Sequence, residues 1–235
     1  MMAVEPKALP SAHQFTVVID GVETAIHEGV LRCNGGTLTV LSPGVLEASR
    51  FQHIVVSGDG GGDVRFTRCG YAAAEDCGAV WFHRCVAVRV DGARDVAVRR
   101  CWSADVERAG SVTIRRCKGA ACVRGAGELR VGRCREVDVG SCADVAVVRC
   151  RAARADWCGA LALGRCRSAD VSRCGAVRID RCRDASVLGC ATVAVRRGKV
   201  SMVEVQKVPQ PFCQEQPMYQ QAEPVLAAPV AIVSK

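Results

Sequence analysis

The sequence predicts an all-β protein: a parallel β-solenoid (β-helix) of 16-residue, two-strand rungs with cysteines stacked inward. Three observations predict it: cysteines recurring every eight residues, an apolar pair of period two inside each octad, and bulky pairs alternating with small ones.

The cysteines set the frame. Cys69, Cys77 and Cys85 are eight apart, and Cys101 and Cys117 keep that register. After a one-residue slip, Cys134, Cys142, Cys150, Cys158, Cys166, Cys174, Cys182 and Cys190 follow without a break. The unit reads Cys-x-x-h-x-h-x-x with h apolar, as in Cys142-Ala-Asp-Val145-Ala-Val147. The two h side chains share one face of a short strand. The step from cysteine to the first h is odd, so the chain must bend between them for all three to point inward. Period eight fits a 3.6-residue helix poorly, and Val and Ile interleaved with Gly favour strand.

Val64/Phe66, Val80/Phe82, Val145/Val147 and Leu161/Leu163 belong to the bulky series; Ala72/Ala74, Ala104/Val106, Ala120/Cys122 and Ala153/Ala155 belong to the small one. A bulky face on a small face suits a thin two-sheet core. The register runs back to Leu38/Val40, with a two-residue insertion in the Gly58–Gly62 run. That gives about ten rungs, roughly 45–50 Å of rod at ~4.8 Å per rung. A one-residue corner bulge is expected near Arg124–Gly127, and Val203/Val205 as a last half-rung.

Three regions follow. Residues 1–35 form an N-terminal β-hairpin cap, with a turn at Asp20-Gly21, that protects the first open edge. Residues 36–206 form the solenoid. Residues 207–235 hold five of the eight prolines, a linker or tail composition that can add a strand to a partner.

Composition narrows the class. The chain has 235 residues and a net charge of +8, with 27 arginines against five lysines. Its 49% hydrophobic content excludes disorder over most of the length. Disulfide-stapled secreted scaffolds are usually far shorter. The start of the chain lacks a signal-peptide pattern, and no apolar run reaches membrane-spanning length. An intracellular reducing compartment (cytoplasm or nucleus) or a virion is the expected location. GC-rich coding also favours Ala, Arg, Gly, Val and Cys, so bulk composition alone decides little.

The 16-residue repeat sorts the cysteines into two columns. One holds Cys69, Cys85, Cys101, Cys117, Cys134, Cys150, Cys166 and Cys182; the other holds Cys77, Cys142, Cys158, Cys174 and Cys190, with Ala93, Ala109 and Ala126 in the gaps. Alanine in those gaps points to buried thiols used as small corner fillers. Disulfides between rungs and metal binding are the alternatives. No Cys-x-x-Cys occurs, and no histidine lies among the cysteines in a zinc-like spacing.

Arginine precedes every cysteine of the longer column: Arg68, Arg84, Arg100, Arg116, Arg133, Arg149, Arg165 and Arg181. Arg135, Arg151, Arg167 and Arg183 follow four of them, and Lys118 a fifth. One corner of the rod is therefore expected to be basic. It is either a solvated ridge eased by Glu136, Asp180 and Asp184, or a site for a linear polyanion or acidic partner, since guanidinium forks suit phosphate and carboxylate. The outward positions carry no aromatic row for base stacking, so any nucleic-acid contact would be to phosphates.

Other signals are weak. Gly58–Asp63 is like a single copy of a calcium nonapeptide, but Arg65 fails its hydrophobic position and tandem copies are absent. Asp91/Asp95 and Asp180/Asp184 lack catalytic partners. No phosphate-binding loop or nucleophile motif occurs. No catalytic residue, cofactor or metal is expected, and the protein is not expected to be an enzyme.

On its repeat, the chain resembles short-rung parallel β-solenoids. Its outline is similar to the bactofilins, and its repeated Arg-Cys steps, Arg68–Cys69 through Arg181–Cys182, are similar to cysteine-rich β-helical structural proteins of viruses. Bactofilins lack the cysteine ladder, and the viral helices have longer rungs. The resemblance covers the repeat body and implies a structural role. The expectation is a rigid structural or assembly protein docking by its basic edge and tail onto other subunits, itself included. The alternative is sequence-independent binding of nucleic acid or another polyanion.

Overall fold

The computed structural model describes residues 15–19, 22–26, 30–32, 36–41, 45–58 and 61–203. The turn at Asp20-Gly21, loop residues 59–60 and the tail 207–235 lie outside them.

All regular structure among the described residues is β. Strands stack in parallel on the strand one rung back: Asp144–Val148 on Glu128–Gly132, and Ala160–Gly164 on Asp144–Val148. The result is the expected solenoid, about ten turns long. One sheet turns Val80/Phe82, Val145/Val147 and Leu161/Leu163 inward; the facing sheet turns Ala72/Ala74, Ala153/Ala155 and Ala169/Val171 inward, all buried. Aromatic volume is confined to a few rungs, where Phe66 stacks on Phe82 at 4.9 Å.

Each corner turns on a single residue in the left-handed region. At the corner of the longer cysteine column these are Arg50, Arg68, Arg84, Arg100, Arg116, Arg133, Arg149, Arg165 and Arg181, with φ between 56° and 65°. This residue supplies the bend that the odd Cys-to-h step requires. The cysteine after it swings inward, 1–4% exposed throughout both columns. At most corners its thiol donates to the carbonyl two residues back, at 3.2 Å for Cys77 to Glu75 and Cys174 to Ser172, and 3.4 Å for Cys142 to Gly140; Cys117 donates instead to Trp102 at 3.0 Å. Cysteine thus fills a small corner and partners a backbone oxygen, which alanine cannot do.

At the N-terminal end, Phe15–Ile19 runs antiparallel to both Val22–Ile26 and Thr37–Leu41. The parallel ladder of the small-residue sheet therefore ends on reversed strands.

Three details differ from expectation. The extra residue lies at Lys118–Ala120, not Arg124–Gly127: Ala104 pairs with Ala121 and Val106 with Val123. Ala121 and Val123 are accordingly the inward pair, and Cys122 faces outward, partly exposed. An apolar pattern alone leaves the slip free to fall on either side of Ala120–Val123, because both frames put small residues inside. At the far end, Ala185 pairs with Val200 and Val187 with Met202, so these register positions continue the inward pair and Val203, which pairs with Leu188, does not; Val205 lies outside the described residues. There Gly198 lies over Cys182, and a Cβ would collide with the Cys182 carbonyl.

Candidate polyanion-binding edge

The arginine corner is held rigid by its backbone. From Arg50 to Arg165 the N–H of each column arginine donates to the next rung, as Arg84 to Arg99 at 3.0 Å, Arg149 to Gly164 at 2.8 Å and Arg165 to Asp180 at 2.8 Å. The residue after each cysteine donates to the rung before, as Lys118 to Cys101 at 3.0 Å and Arg183 to Cys166 at 3.1 Å. Successive arginines are thereby spaced by one rung, ~4.8 Å.

All twelve expected edge residues lie on this corner. Arg68, Arg84, Arg100, Arg116, Arg133, Arg149, Arg165 and Arg181 form one continuous row; Arg135, Arg151, Arg167 and Arg183 form a second row beside its later half. Between the rows runs an open groove of ≈ 1210 Å³ whose floor includes Cys117, Cys134, Cys150 and Cys166. Lys118 and Trp102 line its early end.

Pairing separates this corner from the rest of the surface. None of the nine column arginines has a carboxylate within 4.0 Å among the described residues. Elsewhere many arginines are matched, among them Arg65 to Glu47 at 2.7 Å, Arg94 to Asp95 at 3.1 Å, Arg108 to Asp91 at 2.6 Å, and Arg173 to Asp156 at 2.7 Å, while Arg89 and Arg178 have no such partner among the described residues. In the second row, Arg135 and Arg183 make only long contacts, 3.7 Å to Glu136 and 3.9 Å to Asp184. Asp180 borders the row without an ion pair.

The column is costly to the fold. A side chain in the left-handed region costs on the order of 1 kcal/mol, which Gly avoids. Unit charges one rung apart repel by roughly 0.9 kcal/mol in water before screening. The same field reaches His83, whose pKa is lowered by burial and then by Arg84, Arg100, Arg99 and Arg68.

Sequence reasoning missed Arg50, Arg99 and Arg115. Arg50 precedes buried Phe51, which takes the place of a cysteine; carrying the register back through the two-residue insertion, from 68 to 50, would have found it. Arg99 and Arg115 end strands at the same corner and border the first row.

None of the fourteen described cysteines is in a disulfide. Cys33 and Cys213 lie outside the described residues. Thiols stacked one rung apart influence one another in pairs. In Cys134–Cys150, Cys158–Cys174 and Cys182–Cys166, interaction with the stacked thiol lowers the first-named to about 7, and the same interaction together with burial pushes the second up. No group of three or more potential metal ligands occurs among the described residues. Asp63, from the glycine-rich loop, accepts the Ala79 N–H at 2.9 Å and so serves the edge of a strand.

No protein family, curated protein or solved structure matches the chain.

Proposed function

We propose that this protein is a non-enzymatic, rigid β-solenoid module that docks through its arginine edge onto a polyanionic partner in a larger assembly. One observation carries the reading: nine arginines stacked at rung spacing all lack carboxylate partners among the described residues, although many arginines on other surfaces of the same rod have them. The column is unfavourable for the backbone and for electrostatics, and a purely stabilising role does not account for it. An opposing anionic surface would offset the repulsion and be met by guanidinium forks that spring from a fixed backbone. No helix among the described residues is long and apolar enough to cross a membrane.

The test compares two triple variants of equal net charge. Arg133→Glu, Arg149→Glu and Arg165→Glu together should abolish salt-sensitive retention on a polyanion such as heparin. Arg65→Glu, Arg94→Glu and Arg154→Glu together, on paired surface arginines, should leave most of it. Equal losses would mean that bulk charge, not the edge, is responsible, and the proposal would fail.

A further inference from the structure

We infer that the occupant of the edge is a base-free linear polymer of phosphate, inorganic polyphosphate, lying lengthwise between the two cation rows from Arg133 to Arg183. This rests on the reading of the corner as a polyanion site and narrows it to one ligand.

Charge spacing is the first argument. Beyond Cys117, each rung presents one cation before the cysteine and one after it. Two cations per ~4.8 Å rung is one per ~2.4 Å. An extended acidic peptide between the rows offers one carboxylate per ~3.3 Å counted over both its sides, leaving about a quarter of the cations unmatched. A stacked nucleic-acid strand offers one phosphate per ~3.4 Å. In polyphosphate a single oxygen joins successive phosphorus atoms, with no sugar between them. It has the densest charge of the three and comes nearest to the edge.

Groove shape is the second. The rows spring from residues two apart in the chain, so their Cα atoms stand at most ~7 Å apart. One slender chain fits between them. A duplex, whose phosphates wind about an axis, would meet a straight row only where a strand crosses it.

Side-chain chemistry is the third. Single-strand nucleic-acid sites combine cations with aromatic platforms for the bases. Here Trp102 is the lone aromatic of the groove, at its early end and outside the stretch with two rows. The arginine rows suit phosphate oxygens, and beyond Trp102 no aromatic ring among the described residues lines the groove as a platform for a base.

The experiment measures binding of the full chain to four probes at matched charge: polyphosphate, oligouridine RNA, polyglutamate and duplex DNA. Polyphosphate should bind at least about tenfold tighter than each of the others, with affinity falling steeply with salt. Arg135→Gln, Arg151→Gln and Arg167→Gln together should weaken it about tenfold or more, with the melting temperature checked as evidence of folding. Trp102→Ala should leave it within about twofold. Oligouridine, polyglutamate or duplex binding as tightly as polyphosphate would overturn this inference while leaving the edge a polyanion site. So would dependence on Trp102, or indifference to the second row. Failure of all four probes to bind would overturn both.

Discussion

Arg108 Nε and Asp91 Oδ1 stand 2.6 Å apart across the corner opposite the basic edge, and Arg173 grips Asp156 on the same corner with Nη2–Oδ2 at 2.7 Å and Nε–Oδ1 at 3.0 Å. Both arginines are left-handed corner residues like those of the column. The two corners therefore share a backbone solution and differ in what their charges meet.

The Arg108 hydrogen bond holds Asp91 below the usual carboxylate range. For a lowered carboxylate the stabilisation is present above the unfolded pKa of ~3.9 and is lost as pH falls through the folded value. Asp91→Asn should therefore lower the melting temperature slightly at pH 7 and have no effect at pH 2. High salt should shrink the difference, since both groups are solvent-facing. A loss of equal size at both pH values would show that the ion pair contributes nothing.

Arg149→Gly should stabilise the rod. Glycine relieves a φ of 60° and removes one charge from the row. The expected gain is up to about 1 kcal/mol in urea unfolding, less the entropy glycine adds to the unfolded chain. Arg149→Ala, which keeps the Cβ, should gain less. If glycine proves the more destabilising, the guanidinium has a stabilising role in the isolated protein, and the case for an external partner weakens.

His83 should titrate below ordinary histidine. Its neutral form is favoured in the fold, so stability should fall as pH drops below ~6.5 toward the lowered folded value. Arg84→Gln should raise the His83 pKa, read by NMR. No movement would mean that Arg84 contributes nothing to the shift.

Core truncations should rank by volume. Cys158→Ala should cost about 1 kcal/mol, since Ala93, Ala109 and Ala126 already fill that column. Leu161→Ala should cost about 2–4 kcal/mol, because Leu161 is 2% exposed in a thin core with few ways to collapse. Thiol titration of the full chain in denaturant without reductant should count all sixteen cysteines; a much lower number would point to disulfides.

The rungs were legible because each inward atom is recorded twice, once by residue type and once by spacing. Val145, Val147 and Cys150 could be placed from the repeat alone. The slip at Lys118–Ala120 could not, because Ala120/Cys122 and Ala121/Val123 read almost alike as small inward pairs. The arginine column was visible as a list, but its meaning was not. Whether Arg165 has a carboxylate within reach depends on where neighbouring rungs place Asp180, and sequence proximity suggested more neutralisation than the structure contains. Arg50 escaped because Phe51 broke the Arg-Cys signature while keeping its geometry.

Since each rung touches only its two neighbours, the chain is divisible. Excising residues 142–157 would set Ala160–Gly164 where Asp144–Val148 now lies and Ser168–Ser172 where Ala152–Asp156 now lies, and so close the gap in register. Doubling the same segment would add a step. The length of the basic edge is thus a copy number, one that a lineage could lengthen or shorten by a single in-frame duplication or loss.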